Sequence, residues 1–130
     1  MMEEIKNLKI LLAEDNWINQ RIAVLTFRQM GISIDIASNG QETLNMYRQN
    51  KYDLIMMDLQ MPVMDGLEAT RHIRTFEKET ESPHHVYIVA LTANAISEMK
   101  KDCTMAGMDD FMEKPFQESD LRILLSKKIN

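Results

Sequence analysis

Residues 52–58 read Tyr-Asp-Leu-Ile-Met-Met-Asp (YDLIMMD), and this stretch indicates the class of fold. Four consecutive apolar residues lead directly into an acid at its end. An uninterrupted apolar run of this length is typical of a parallel strand that is covered on both faces. Residues 9–14 (KILLAE) show the same pattern, and residues 87–93 (YIVALTA) form a third apolar run. The three runs predict three buried strands of one sheet.

Segments with other periodicities lie between these runs. Alternation at period two predicts a more exposed strand at residues 33–38, and a short strand is predicted at 110–113. Apolar residues at helical spacing predict five helices, at residues 16–30, 41–49, 66–75, 97–106 and 119–128. Residues 76–85 are polar, contain Pro83, and are predicted to be the least ordered stretch. The alternation predicts an α/β domain with a doubly wound, five-stranded parallel sheet in the order 2-1-3-4-5.

Length and composition restrict the class of protein further. The chain has 130 residues, 45% of them apolar, which is enough for one domain over residues 1–130, with a core over about residues 8–129. A net charge of −5 argues against nucleic acid or an anionic membrane as the direct partner. One cysteine excludes an intrachain disulfide, no apolar run approaches the ~20 residues of a membrane span, and the first residues do not resemble a secretion signal. We therefore expect a cytoplasmic domain.

Acidic residues end two of the predicted central strands. Glu14 and Asp15 end the first strand, and Asp58 ends the third. In a doubly wound sheet, ligands bind beyond the carboxyl ends of the strands, where the first and third strands are neighbours. Three carboxylates at that edge repel one another unless a cation is present, and an all-oxygen set of ligands suits Mg²⁺. The sequence thus predicts a magnesium site.

Two further polar residues follow the remaining strands at the same edge. Thr92 ends the fourth predicted strand, and Lys114 follows the fifth. A metal ion, an ammonium and a hydroxyl in one pocket can neutralise a phosphoryl group from several sides. A carboxylate in such a pocket can act as a nucleophile and form an aspartyl phosphate.

Four motifs resemble the receiver domains of two-component signalling, which have a flavodoxin-like fold. The motifs are Glu14-Asp15-Asn16, MDLQMPVMDG at 57–66, Ala90-Leu91-Thr92-Ala93 and Lys114-Pro115-Phe116. The resemblance extends from about Lys9 to the end of the chain, and its details are most similar to receivers of hybrid sensor histidine kinases. It implies that Asp58 accepts a phosphoryl group from a phosphohistidine. It also implies that Mg²⁺ is bound by a set consisting of Glu14, Asp15, Asp58 and the backbone carbonyl of Gln60.

The same resemblance implies roles for residues around the acceptor. Thr92 matches the switch hydroxyl, Lys114 the lysine that pairs with the phosphoryl charge, and Phe111 the switch aromatic, where many relatives have tyrosine. The bond between Lys114 and Pro115 is usually cis in this family. Gln60 and Asn94 occupy positions that tune how readily water attacks the acyl phosphate.

The resemblance also implies a surface for the phosphodonor, which the family docks against its first helix. Trp17, Ile18 and Pro115 are the predicted docking residues. The expected partner is a histidine kinase or a histidine phosphotransfer protein, with no direct contact to nucleic acid or membrane.

The sequence disfavours three alternative functions. A phosphatase similar to haloacid dehalogenases needs a second aspartate two residues after the nucleophile, where this chain has Gln60, and the chain lacks a cap insertion. A degenerate receiver that only binds protein is disfavoured because the acidic residues and Lys114 are all present. A nucleotide-binding domain is disfavoured because no glycine-rich loop follows the first strand. The domain is expected to catalyse its own phosphorylation and dephosphorylation, and it is either a single-domain regulator or part of a larger kinase.

Overall fold

The computed structural model describes residues 7–93 and 97–129 of the chain. Strands and helices alternate along it, as the sequence predicts. The strands are β1 (Ile10–Ala13), β2 (Ile34–Ala37), β3 (Leu54–Asp58), β4 (Tyr87–Thr92) and β5 (Asp110–Glu113). The helices are α1 (Trp17–Gln29), α2 (Gly40–Gln49), α3 (Gly66–Glu79), α4 (Ser97–Ala106) and α5 (Glu118–Ile129). Within the described residues, no helix has both the length and the apolar character needed to cross a bilayer.

The five strands form one parallel sheet in the order β2-β1-β3-β4-β5, which confirms the predicted topology. The register aligns the carboxyl ends of the strands. Ala13 pairs with Met57, Asp58 with Leu91, and Thr92 with Glu113. Residues that follow the strands therefore meet along a single edge of the sheet.

Apolar side chains alternate between the two faces of the sheet, and each face has its own core. Leu11, Ile55 and Met57 pack on the side of α2, α3 and α4. Leu12 and Met56 pack on the opposite side, with α1 and α5. Both faces of β1 and β3 are covered by helices, which accounts for the uninterrupted apolar runs in their sequences.

The prediction for residues 76–85 is wrong at its start, because α3 continues to Glu79. The Phe76 ring packs edge-on against Tyr47, with centroids 5.8 Å apart. Glu77 is 1% exposed, and its carboxylate accepts hydrogen bonds of 2.8 Å from the Tyr47 hydroxyl and the Val86 N–H. A charge with such partners can be buried in a helix, although in the sequence it resembles part of a polar loop.

Candidate functional site

Three carboxylates meet at the carboxyl edge of the sheet, as predicted. Glu14 and Asp58 are buried, at 2% and 5% exposure, whereas Asp15 is exposed. One oxygen of each of the three groups lies within 4.8 Å of the others. Within the described residues this is the one group of three or more acidic, histidine or cysteine side chains that could hold a metal ion. Its all-oxygen donor set fits a hard cation such as Mg²⁺.

Lys114 lies between the two buried carboxylates. Its Nζ is 3.1 Å from Asp58 Oδ2 and 3.2 Å from Glu14 Oε1. The Lys114 N–H donates to the Thr92 carbonyl at 2.7 Å, so the end of β4 positions the lysine, and the following bond to Pro115 is cis as expected. Burial alone would lower the pKa of the Lys114 ammonium, but the hydrogen bond and charge of Asp58, and then those of Glu14, raise it overall.

Burial affects the Glu14 carboxylate in the direction opposite to its effect on Lys114. Burial raises its pKa, and the Asp58 charge adds to the effect, while the Asn16 N–H and Lys114 partly counteract it. A single ammonium thus does not compensate the buried negative charge completely. This imbalance favours a further cation in the site.

Local hydrogen bonds orient the carboxylates. Glu14 Oε2 accepts from the Asn16 N–H at 3.1 Å. Asp58 Oδ1 accepts from the Gln60 N–H at 3.2 Å, while Oδ2 faces Lys114. α3 begins at Gly66, directly against the end of β3. Glycine is needed at this position because a Cβ would overlap the Asp58 carbonyl oxygen. The start of α3 therefore packs closely against the backbone of Asp58 at the end of β3.

The carboxylates line an open cleft of ≈ 880 Å³. Gln60, Thr92 and Lys114 line the same cleft, so the sheet brings together the residues predicted to meet there. Met99 also lines it and was missed by the sequence analysis, since a methionine at helical spacing resembles core. Asn94 lies outside the described residues.

Thr92 and Phe111 both contact the first turn of α4. The buried Thr92 hydroxyl donates to Met99 Sδ at 3.8 Å. The half-buried Phe111 ring packs on the core that faces α3 and α4, and Lys100 Nζ is 5.1 Å from its centroid.

The outer surface of α1 is unusually apolar beside the cleft. Trp17 is 69% exposed and Ile18 is 60% exposed. A neighbouring groove of ≈ 380 Å³ is lined by Ile22, Pro115 and Phe116, among others. The three predicted docking residues are thus all exposed, and Pro115 is one of the residues that line this groove.

The sheet topology and the carboxylate cluster define a doubly wound α/β domain with a candidate metal site, and comparison with known proteins gives the family. The chain belongs to the response regulator receiver domain family, and the sequence model of that family matches residues 10–126.

Its curated relatives include much longer kinases. The chain is 46% identical over 127 residues to hybrid signal transduction histidine kinase B of Dictyostelium discoideum, and 44% identical over 124 residues to kinase K of the same organism. The matches cover 92% and 93% of this chain but only 6% and 10% of those proteins.

Solved structures of similar receivers match almost the whole chain. The receiver domain of sensor histidine kinase PA1611 from Pseudomonas aeruginosa, with magnesium coordinated in its active-site cleft, is 37% identical, with a TM-score of 0.82. That match covers 94% of this chain and 97% of the other. A co-crystal structure of the Saccharomyces cerevisiae phosphotransfer protein Ypd1 with the receiver domain of Ssk1 matches with 39% identity, a TM-score of 0.80, and coverage of 92% and 85%.

Proposed function

We propose that Asp58 of this receiver domain accepts a phosphoryl group from a phosphohistidine. The observation that carries the proposal is the position of its carboxylate, 3.1 Å from Lys114 Nζ and within reach of two further carboxylates. Mg²⁺ fits this donor set, with Glu14, Asp15, Asp58 and the Gln60 carbonyl as its protein ligands. When bound, the ion supplies positive charge for the phosphoryl oxygens.

The side chains divide the work of phosphoryl transfer. Asp58 reacts as a carboxylate, so its oxygen bonds to phosphorus without losing a proton. The bond from phosphorus to the donor imidazole breaks, and its electron pair stays on the imidazole nitrogen. Lys114 gives up part of its contact with Asp58 and pairs with a phosphoryl oxygen. Its positive charge then reduces the repulsion between the phosphoryl group and the Asp58 carboxylate. Attack by water on phosphorus later releases inorganic phosphate and restores Asp58.

Thr92 and Phe111 convert the modification into a conformational change. The phosphoryl group adds about −1.5 to −2 charges and three acceptor oxygens at the end of β3. We infer that the Thr92 hydroxyl turns toward one of these oxygens and that the Phe111 ring turns inward behind it. The phosphoryl group shifts a balance between two conformations that already exist.

We propose the apolar surface of α1 as the docking site for the donor. Trp17 and Ile18 are exposed at the start of α1, next to the cleft-lining residues Asn16 and Asn19, and Pro115 lines the groove beside the cleft. Desolvation of a large aromatic side chain at the centre of an interface contributes strongly to binding. The Ypd1–Ssk1 complex is a precedent for a receiver bound to a histidine phosphotransfer protein.

The parent protein is proposed to be a hybrid histidine kinase with this segment as its receiver, located in the cytoplasm. The support is the similarity to small parts of long kinases. The domain itself would catalyse only its own phosphorylation and dephosphorylation.

Labelling by acetyl phosphate tests the proposed acceptor. Wild type should incorporate one phosphate per chain with Mg²⁺, and Asp58→Asn should incorporate none while remaining folded. Asp102→Asn, at an exposed position on α4, is the matched control and should label normally. Catalytic turnover of p-nitrophenyl phosphate would indicate a phosphatase instead.

Metal dependence is tested separately through Asp15. Asp15→Asn should weaken Mg²⁺ binding, which is measured by the fluorescence of Trp17. The same variant should block labelling. Full labelling of wild type in excess chelator would contradict the role of the ion.

A further inference from the structure

Two adjacent residues of α4, Met99 and Lys100, contact the two side chains proposed to move on phosphorylation. Met99 Sδ accepts a hydrogen bond from the Thr92 hydroxyl, and Lys100 Nζ is placed over the Phe111 ring. Neither residue belongs to a motif of the sequence analysis. We propose that this turn of α4 holds the unphosphorylated conformation, with Lys100 as a positioning residue that sets how readily the domain switches.

The contact between Lys100 and Phe111 has the geometry of a cation–π interaction. The ammonium is 5.1 Å from the ring centroid, inside the ≈ 6 Å range of this interaction. Of the cation–ring pairs in the described part of the chain, this is the shortest, against 5.7 Å for Arg48 and 5.9 Å for Lys9. Lys100 is exposed, so this is a cation–π contact at the surface of the domain.

The backbone around Phe111 is held in place, which leaves the ring as the mobile part. Phe111 pairs with Ala90 in the β4–β5 ladder, and the Lys114 N–H bonds to the Thr92 carbonyl. An inward turn of the ring therefore occurs by side-chain rotation and moves its face away from Lys100. The cation–π contact is lost in that step.

The Met99 contact acts in the same direction on Thr92. A hydroxyl that turns toward a phosphoryl oxygen must give up the thioether sulfur, which is a weak acceptor. Met99 also packs in the same apolar cluster as Phe111, so the two contacts lie on one structural unit. Both oppose the switch, with the larger part expected from Lys100.

The expected effect follows from population shift and rests on the proposed function. A contact present in only one of two conformations changes the concentration of ligand needed to select the other. A cation–π interaction at an exposed site corresponds to about a two- to fivefold change in that concentration. Removal of the Lys100 ammonium should therefore make the domain easier to switch.

The experiment follows the Phe111 ring by NMR in the 130-residue chain with carbon-13-labelled phenylalanine, during titration with beryllium trifluoride and Mg²⁺ as the phosphoryl mimic. Lys100→Met should lower the concentration for half-maximal change about two- to fivefold. Lys100→Arg should behave as wild type because it keeps the cation. Lys101→Met removes the same charge from the neighbouring exposed residue and should also behave as wild type.

A second comparison separates the ring contact from a general effect on folding or charge. In a Phe111→Leu background, Lys100→Met should no longer change the affinity for the mimic. Binding of the mimic is measured there by the fluorescence of Trp17. The inference is overturned if Lys100→Met titrates as wild type, if Lys101→Met has an equal effect, or if the effect persists without the ring. If wild type takes no mimic, or its Phe111 ring does not respond to it, the proposed function fails and the inference fails with it.

Discussion

Lys114→Met removes the one ammonium placed between two buried carboxylates and retains most of the apolar stem. In wild type the Lys114 Nζ is 3.1 Å and 3.2 Å from oxygens of Asp58 and Glu14. The side chains of these acids are 7% and 3% exposed, so water replaces the lost partner poorly. We expect the variant to be folded but less stable, and to be defective in phosphorylation.

The magnitude follows from the burial of the three groups. Removal of one partner from a buried pair costs about 3–5 kcal/mol, whereas an exposed pair contributes about 0–1 kcal/mol. The Lys114 side chain is 21% exposed, which places the expected loss below the fully buried range. We expect about 2–3 kcal/mol at neutral pH without Mg²⁺. With a urea m value of about 2 kcal/mol per molar, the midpoint should fall by about 1–1.5 M.

The pH dependence of this loss has a defined sign. The pKa of Lys114 is raised in the folded state, so its stabilisation is present below the unfolded pKa and is lost as pH rises through the raised value. Burial raises the pKa of Glu14, so folded protein binds this proton more tightly than unfolded protein. The deficit of Lys114→Met should therefore shrink as the solution is acidified from neutral toward the raised pKa of Glu14. Mg²⁺ should also reduce it.

Urea unfolding at neutral and mildly acidic pH, with and without Mg²⁺, measures the effect. Lys127→Met is the matched control, because the Lys127 side chain is 60% exposed and its Nζ is 3.6 Å from Asp110. It should cost less than about 1 kcal/mol. A Lys114→Met loss no larger than that of the control, or a deficit that grows on acidification, would refute the reasoning.

Three other features give measurable expectations. Gly66→Ala should lower the free energy of unfolding by about 3 kcal/mol, because the new Cβ overlaps the Asp58 carbonyl oxygen, and a loss below about 1 kcal/mol in urea melts would contradict that close approach. Glu77→Gln should cost about 2–3 kcal/mol in thermal melts, since Arg74 loses a buried anionic partner at 2.8 Å, and near-neutral behaviour would count against it. Burial, with help from a nearby carboxylate, raises the pKa of Tyr87 to about 12, and the other two tyrosines are also shifted upward. Stability should thus fall as pH rises above about 10, because tyrosines of the unfolded chain lose their protons there while those of the folded protein keep them, and tyrosinate absorbance near pH 10 in folded protein would be inconsistent with this burial.

The sheet and the site edge could be predicted because both depend on local patterns. Strands covered on both faces have uninterrupted apolar runs, and the residue that follows each run lies at the ligand edge of a parallel sheet. Asp58, Thr92 and Lys114 could therefore be placed together from the sequence alone. The regular alternation of strands and helices predicts a doubly wound sheet, and 2-1-3-4-5 is one of the common strand orders of such sheets.

Features that depend on contacts between distant residues could not be predicted in this way. The end of α3 was missed because Glu77 is stabilised by two partners outside the helix. Tyr47 is far from it in sequence, and Val86 lies beyond the following loop. The contact between Lys100 and Phe111 was missed because a lysine on a helix surface has no distinguishing pattern. In both cases a charged residue has a tertiary partner that hydrophobic periodicity does not report.

Chemical trapping of the acyl phosphate is the most direct test of the central claim. Protein phosphorylated by acetyl phosphate with Mg²⁺ is treated with borohydride, which reduces an aspartyl phosphate to homoserine, and the modified residue is located by mass spectrometry of peptides. We predict homoserine at position 58 and at no other acidic residue, with none formed in untreated protein. Homoserine at position 15, or phosphate retained on a hydroxyl or imidazole while Asp58 stays unmodified, would contradict the assignment of Asp58 as the acceptor.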